Sequence, residues 1–269
     1  MTPGHGRVVV VTGGTRGIGL GLAKELIKRD CRVVICGRSE AAVTKALGEL
    51  DAGIKATGVP ADVTSRESVQ ALWDHAVATY GRVDVWINNA GISAPRRPLP
   101  EISEETVAAV VATNLFGAAN GSVVAMAGLK AQAAGGWIWN MEGFGSTGQV
   151  QPGMAAYGAS KRAVTYLTET MVKETKDGNV KVGFLSPGIV ATDLLMDDYD
   201  GQPEAMEKAK KIFNILGDRV ETVTPYLADG VLAATKSGTR VAWLTKAKAF
   251  GRFATAGFKK RDIFAEGAA

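Results

Sequence analysis

The chain has 269 residues, 46% of them hydrophobic, and a formal net charge of +4. That supplies the material for one large α/β core or two small ones. The mild basicity lies largely in the C-terminal region, and no nucleic-acid arm, RNA-binding motif or zinc-ligand spacing goes with it.

Residues 1–6 are a polar lead. Arg7 to Thr12 is a β-branched run, as a parallel strand buried on both faces requires. Gly13-Gly14-Thr15-Arg16-Gly17-Ile18-Gly19 follows, and a helical pattern runs from Leu20 to Arg29. In a strand–loop–helix setting, glycines let the backbone approach a pyrophosphate. The helix start adds amide donors and the positive end of its dipole. The spacing is Gly-x3-Gly-x-Gly, and Gly13, Thr15, Arg16, Gly17, Ile18 and Gly19 are candidate dinucleotide contacts.

Arg32 to Gly37 is the second strand. An acid near its end would hydrogen-bond a free ribose 2′-hydroxyl, but Cys36-Gly37-Arg38-Ser39 offers none. Arg38, flanked by Arg16 and followed by Ser39, suits a 2′-phosphate, because a guanidinium fork matches phosphate oxygens. This predicts NADP(H) over NAD(H). Cys31 and Cys36 read as packing residues without a disulfide.

Ser39 reads as the N-cap of a helix to about Leu50. Ala56 to Pro60 is a third strand, followed by Asp62-Val63. Asp62 is placed either to accept a bond from an adenine amino group or to cap the turn before Ser65. Ser65 to Tyr80 is a helix and Val83 to Asn88 a fourth strand. After it, Asn89-Ala90-Gly91 are small enough for a flat ring to lie against the backbone. Residues 92–102 are a loop. A long helix runs from Ser103 to about Ala134 with Asn114 near its middle. Asparagine is a poor helix-interior residue, so a buried Asn114 needs a reason, such as a local kink and a held water. Gly136 to Met141 is the fifth strand.

Tyr157 and Lys161 open the helix Ala155 to Thr175, and at four residues apart they share a face. A free phenol has a pKa of about 10. An ammonium beside it favours the phenolate and lowers that value, which suits proton transfer at a carbonyl. Val180 to Leu185 is the sixth strand, leading into Pro187-Gly188-Ile189-Val190-Ala191-Thr192. Residues 193–219 are long for a loop and are expected to form one or two small helices that cover the site as a lid. Glu221 to Thr235 is the last large helix and Arg240 to Thr245 the last strand. The tail, Lys246 to Phe264, interleaves Lys246, Lys248, Arg252, Lys259, Lys260 and Arg261 with Phe250, Phe253, Phe258 and Phe264. Its aromatics are expected to pack over the site or a neighbouring subunit, rather than to rest on an anionic membrane.

This alternation predicts a single domain with a doubly wound, seven-stranded parallel sheet of Rossmann type. Ligands bind such sheets at the carboxyl ends of strands, so the glycine loop, Asn89, Tyr157 and Pro187-Gly188 are expected to meet in one crevice. No leader or transit pattern precedes the first strand, and no apolar run reaches the ~20 residues that span a bilayer. The expected location is cytoplasmic.

Thr12-Gly13-x3-Gly17-x-Gly19, Asp62-Val63, Asn88-Asn89-Ala90-Gly91, Asn114, Tyr157-x3-Lys161 and Pro187-Gly188-x3-Thr192, in this order, resemble the short-chain dehydrogenase/reductase family over nearly the whole chain. The resemblance implies a carbonyl reductase acting on a small-molecule aldehyde or ketone, assembled as a homodimer or homotetramer. Tyr157 would donate the proton, Lys161 would hold the nicotinamide ribose and Asn114 would anchor a proton-relaying water. Asp62 would meet adenine, and Ile189 and Thr192 the carboxamide end. A serine should stabilise the substrate oxygen. Its usual position holds Phe144 here, and Ser146 is the candidate replacement. Asn140-Met141-Glu142-Gly143-Phe144-Gly145-Ser146, Thr192-Asp193-Leu194-Leu195 and Trp243-Leu244-Thr245 look like the chlorophyll b reductase branch, which implies a bulky, apolar carbonyl substrate. A non-catalytic NADP-binding sensor is the alternative, and the retention of Tyr157, Lys161 and Asn114 weighs against it.

Overall fold

The computed structural model describes residues 4–258 and 261–265; Lys259 and Lys260 of the tail lie outside them. The valine run Val8–Val11 forms β1. Its side chains alternate between two cores, Val9 and Val11 on one face of the sheet and Val10 on the other. This is why the run has no polar interruption. Helix α1 spans Gly17–Lys28, so it begins inside the glycine loop rather than at Leu20. β2 (Arg32–Gly37), α2 (Glu40–Leu50), β3 (Ala56–Pro60), α3 (Arg66–Tyr80) and β4 (Val85–Asn88) follow.

The single helix expected from Ser103 is divided into α4 (Glu104–Val111), a π-helical turn at Ala112–Phe116, and α5 (Gly117–Ala131). Ser39, Ser65 and Ser103 cap α2, α3 and α4, each accepting from an amide three residues on, the role short hydroxyl side chains favour. The π turn holds Asn114, the residue that reads as out of place in a helix. Together these segments make a 28-residue helical stretch, Glu104–Ala131, long and apolar enough to cross a membrane. This corrects the expectation that no run has that length. Here the stretch packs on β4 with α3 beside it and buries Asn120 and Ser122, the setting of a core helix.

β5 (Gly136–Met141), α6 (Ala155–Glu174) and β6 (Val180–Ser186) complete the centre. The segment after Thr192 is an excursion bounded by β7 (Val190–Ala191) and β8 (Asp218–Arg219), which pair with each other. Between them lie α7 (Asp193–Asp197) and α8 (Pro203–Leu216). Tyr199, Met206, Phe213 and Ile263 give the excursion a small core of its own. α9 (Val220–Ala233), β9 (Arg240–Ala242) and α10 (Lys246–Thr255) follow.

The main sheet is seven-stranded in the order β3-β2-β1-β4-β5-β6-β9, and all its pairings are parallel. α1, α2 and α9 cover one face, and α3, α5 and α6 the other. Strand order reverses between β1 and β4, so the loops leaving those strands diverge and open a crevice there. Both cysteines are free and buried. Of the tail aromatics, Phe264 packs on Phe213 with ring centroids 6.3 Å apart. Phe250, Phe253 and Phe258 are exposed on this chain and do not line the crevice, which corrects the packing expected over the site.

Candidate active site

A crevice of about 1000 Å³ runs along the carboxyl ends of the strands. The glycine loop, Arg38 and Ser39, Asp62 and Val63, and Asn89 to Gly91 line one part of it, and Tyr157, Lys161, Pro187 to Ile189 and Thr192 the other. Residues more than a hundred positions apart are thus brought together. Asn89 explains the shape of the loop: its Nδ2 donates to the carbonyls of Thr12 (2.9 Å) and Gly13 (3.1 Å). Gly13 has φ +63 and Gly17 φ +54, left-handed values that favour glycine. Arg38 lines the β2 end of the crevice, and Arg16, which lines it too, reaches Asp193 on α7 at 3.5 Å. Asp62 faces the crevice while its Oδ1 accepts from the Thr64 amide (2.9 Å) and hydroxyl (2.8 Å), so it also caps the turn.

Asn114 stands behind the crevice. Its Oδ1 accepts from the Ile92 amide at 2.8 Å, and its Nδ2 donates to the Ile92 carbonyl at 2.9 Å and to Ser160 Oγ at 3.0 Å. The π turn swings it out of the helical register toward that loop, a distortion often found at functional sites. A methyl group on Gly91 would sit 3.2 Å from Asn114 Oδ1 and 3.6 Å from Lys161 Nζ, so the two side chains flank one point.

Lys161 is buried, lies 5.8 Å from the centroid of the Tyr157 ring, and donates to the Met141 carbonyl at 3.2 Å. Enclosure pulls its pKa down to about 8, against the attraction of Glu142. Glu142 itself is held by Arg240 through two bonds of 3.1 Å. Enclosure also acts on Tyr157, in the opposite sense. The phenol is held above its ordinary value, first by burial and then by the charge of Asp198, with Arg96 opposing. The expected lowering by Lys161 is therefore corrected: desolvation outweighs an ammonium that is turned toward Met141.

Ser146 is not brought to the crevice. Its Oγ accepts from the Gly143 amide at 3.1 Å and donates to the Lys161 carbonyl at 3.3 Å, fully buried. This corrects its assignment as the substrate-facing hydroxyl. Gly143 stands there instead, where a Cβ would collide with the Tyr157 hydroxyl. Ser93, Arg96 and Asp198, from segments read as a loop and a lid, also share the crevice with Tyr157. Arg96 pairs with Asp198 (Nε to Oδ2, 3.6 Å), donates its amide to the Asp198 carbonyl (2.9 Å) and stacks on Tyr199 at 4.7 Å. Burial raises the Asp198 carboxyl to about 6, with Ser93 and Arg96 opposing. The one early signal was the Pro95-Arg96-Arg97-Pro98 run, in which an arginine between prolines sits on a stiffened loop.

A family model of short chain dehydrogenases matches residues 7–203. The chloroplastic chlorophyll(ide) b reductase NOL of Arabidopsis thaliana is 38% identical over 280 residues, covering 99% of this chain and 78% of that protein. A second A. thaliana protein, the probable chloroplastic chlorophyll(ide) b reductase NYC1, is 35% identical over 89% of this chain, which spans about half (51%) of it. The 3-ketoacyl-(acyl-carrier-protein) reductase of Brucella melitensis, solved with NADH, has a TM-score of 0.78 at 24% identity, covering 89% of this chain and 97% of that one. That likeness shows the fold. The cytoplasmic expectation is overturned, since the plant relatives are named as chloroplastic; cellular address is not written in the folded core that the motifs report. The chain belongs to the short chain dehydrogenase family: it is an oxidoreductase acting between CH–OH and C=O with a nicotinamide dinucleotide cofactor, and chlorophyll(ide) b reductases are among its relatives.

Proposed function

We propose that this oxidoreductase reduces a bulky, apolar aldehyde or ketone with NADPH, Tyr157 giving its proton to the carbonyl oxygen. The observation that carries the reading is one continuous crevice. It joins the glycine loop to Tyr157 and Lys161 and then runs on beneath the apolar residues Ala209, Ile212, Phe213 and Leu216 of α8. The formyl group of a chlorophyll b-type pigment is an aldehyde of that kind, and the relatives' names support it.

The residues fit a dinucleotide. α1 has no side-chain cap and no acid in its first turn, whereas α2, α3 and α4 each have both. Its first amides are thus left to an anionic ligand such as a pyrophosphate. When bound, the nicotinamide supplies the hydride. Tyr157, held protonated by its enclosure, is in the donating form at neutral pH. Lys161, fixed to Met141, is placed to hold a ribose hydroxyl, and Asn114 steadies the Ile92 loop beside it. The excursion 193–219 serves as the lid, with Arg96, Asp198 and Tyr199 fastening it over the substrate end. Phe116, Val123 and Tyr166, exposed on the long helical stretch and α6, support association into a homodimer through those helices.

Arg38, which lines the crevice at the end of β2 where positions 36–39 hold no Asp or Glu, supports NADPH over NADH. Charge-assisted bonds to phosphate contribute about 1.5–3 kcal/mol, so Arg38→Leu is expected to lower kcat/KM for NADPH by roughly 10–100-fold. The value for NADH should stay within about twofold, because its ribose carries no phosphate. Paired initial-rate measurements check this, and a wild-type protein that uses NADH equally well or better would overturn the preference.

A further inference from the structure

The two sides of α10 are used differently. Toward the protein, Arg252 donates to the Leu216 carbonyl (2.8 Å) and Asp218 Oδ2 (2.7 Å), and Arg261 donates to Asp218 Oδ1 (2.5 Å). Trp243 Nε1 also donates to Asp218 Oδ2, at 2.5 Å, and the Lys248 ammonium lies over the Trp243 ring. One buried acid thus ties α10 to the end of α8. Toward solvent, Phe250 is 78% exposed, Phe253 49% and, just past the helix, Phe258 92%. At 100° per residue, Phe250 and Phe253 fall on one face with the exposed Lys246.

Soluble surfaces seldom gather aromatic side chains in this way. On α8, which packs against α10, Ile212 is 45% exposed and also lines the crevice. α8 carries Lys208, Lys210 and Lys211 against Glu204 and Glu207, with Lys208 and Lys211 exposed. The sequence from Arg240 to Arg261 contains no Asp or Glu, and Asp218 is outnumbered by Lys248, Arg252 and Arg261 around it. The face therefore combines apolar rings with surplus positive charge. An apolar protein surface would satisfy the first property only; the interface of an anionic bilayer satisfies both.

We infer that the α8–α10 face docks on an anionic lipid surface, seating Phe250, Phe253 and Phe258 among the headgroups with the crevice mouth at Ile212 beside them. Docking rests on no assumption about the reaction. If the proposed reduction holds, an apolar carbonyl compound passes from lipid to crevice without crossing bulk water.

Flotation of the full chain with phosphatidylcholine vesicles, with and without phosphatidylglycerol, tests this. Binding is expected only where phosphatidylglycerol is present, and it should weaken as salt rises. Phe250→Ser/Phe253→Ser/Phe258→Ser is expected to lower binding at least about tenfold. Lys211→Gln/Lys246→Gln should lower it roughly fivefold per charge. Circular dichroism should be unchanged in both variants, since every substituted side chain is exposed. No flotation with anionic vesicles, or unaltered flotation of the triple serine variant, would overturn the inference. So would a triple variant whose only change is a smaller assembly by light scattering, which would make this face a contact between copies of the chain.

Discussion

Tyr157→Phe is expected to lower kcat for carbonyl reduction by about 10²–10⁴-fold, the range that a positioned general acid contributes. The dissociation constant for NADPH should stay within about twofold. The ring fills the same space, so helix α6 and the crevice wall are kept. What is lost is the hydroxyl that stands over Gly143, where only a glycine leaves it room. Enclosure and the Asp198 charge hold that hydroxyl protonated, which suits donation in the direction of reduction. The raised value also means that the phenol does not set the upper pH limit of the reaction. Fluorescence titration with NADPH beside steady-state rates checks both halves of the expectation. A variant that keeps its turnover would show that the proton comes from elsewhere.

Lys161→Met is expected to abolish turnover and, at neutral pH, to stabilise the fold. The ammonium is buried, and enclosure lowers its pKa from 10.5 to about 8. Between those values the unfolded chain binds the extra proton, so stability rises with pH across that window. Below pH 8 the cost of the buried charge is fully present, of order 3 kcal/mol. Methionine matches the stem in length and brings no charge, while the lost bond to the Met141 carbonyl returns about 1 kcal/mol. The net gain of about 2 kcal/mol corresponds to a rise in Tm of a few degrees for a chain of this size, shrinking as pH approaches 10. Wild-type reduction should fall above about pH 8, as the ammonium loses its proton. Calorimetry at several pH values, with a pH–rate profile, checks both effects.

The framework was legible because it is periodic. The valines of β1 must face two cores and cannot be interrupted by polar residues, and a glycine loop between a strand and a helix has few other uses. Ser39, Ser65 and Ser103 announce three helix starts through capping chemistry. Asn114 announced a distortion, and the π turn is its form. Ser146 was misplaced because register inside a glycine-rich loop is not encoded by spacing: Gly145 at φ +97 and Gly148 at φ +94 turn the chain in ways that residue counting cannot follow. Ser93, Arg96 and Asp198 belong to segments remote in sequence and meet only when the excursion folds back. The sign of the Tyr157 shift was hidden for a related reason. Spacing shows that an ammonium lies one turn away, but not that burial of the phenol outweighs it.

The meeting of NADPH and a bulky carbonyl compound beside Tyr157 is the event on which the proposed reduction depends. It is tested most directly by incubating the protein with NADPH and a series of large formyl and keto compounds, chlorophyll b derivatives among them, while following the nucleotide and the product. The expected result is loss of NADPH equimolar with formation of the alcohol, for at least one bulky apolar member and faster than with small aldehydes. NADPH that binds but is never consumed above the protein-free rate, whatever the carbonyl, would contradict the account.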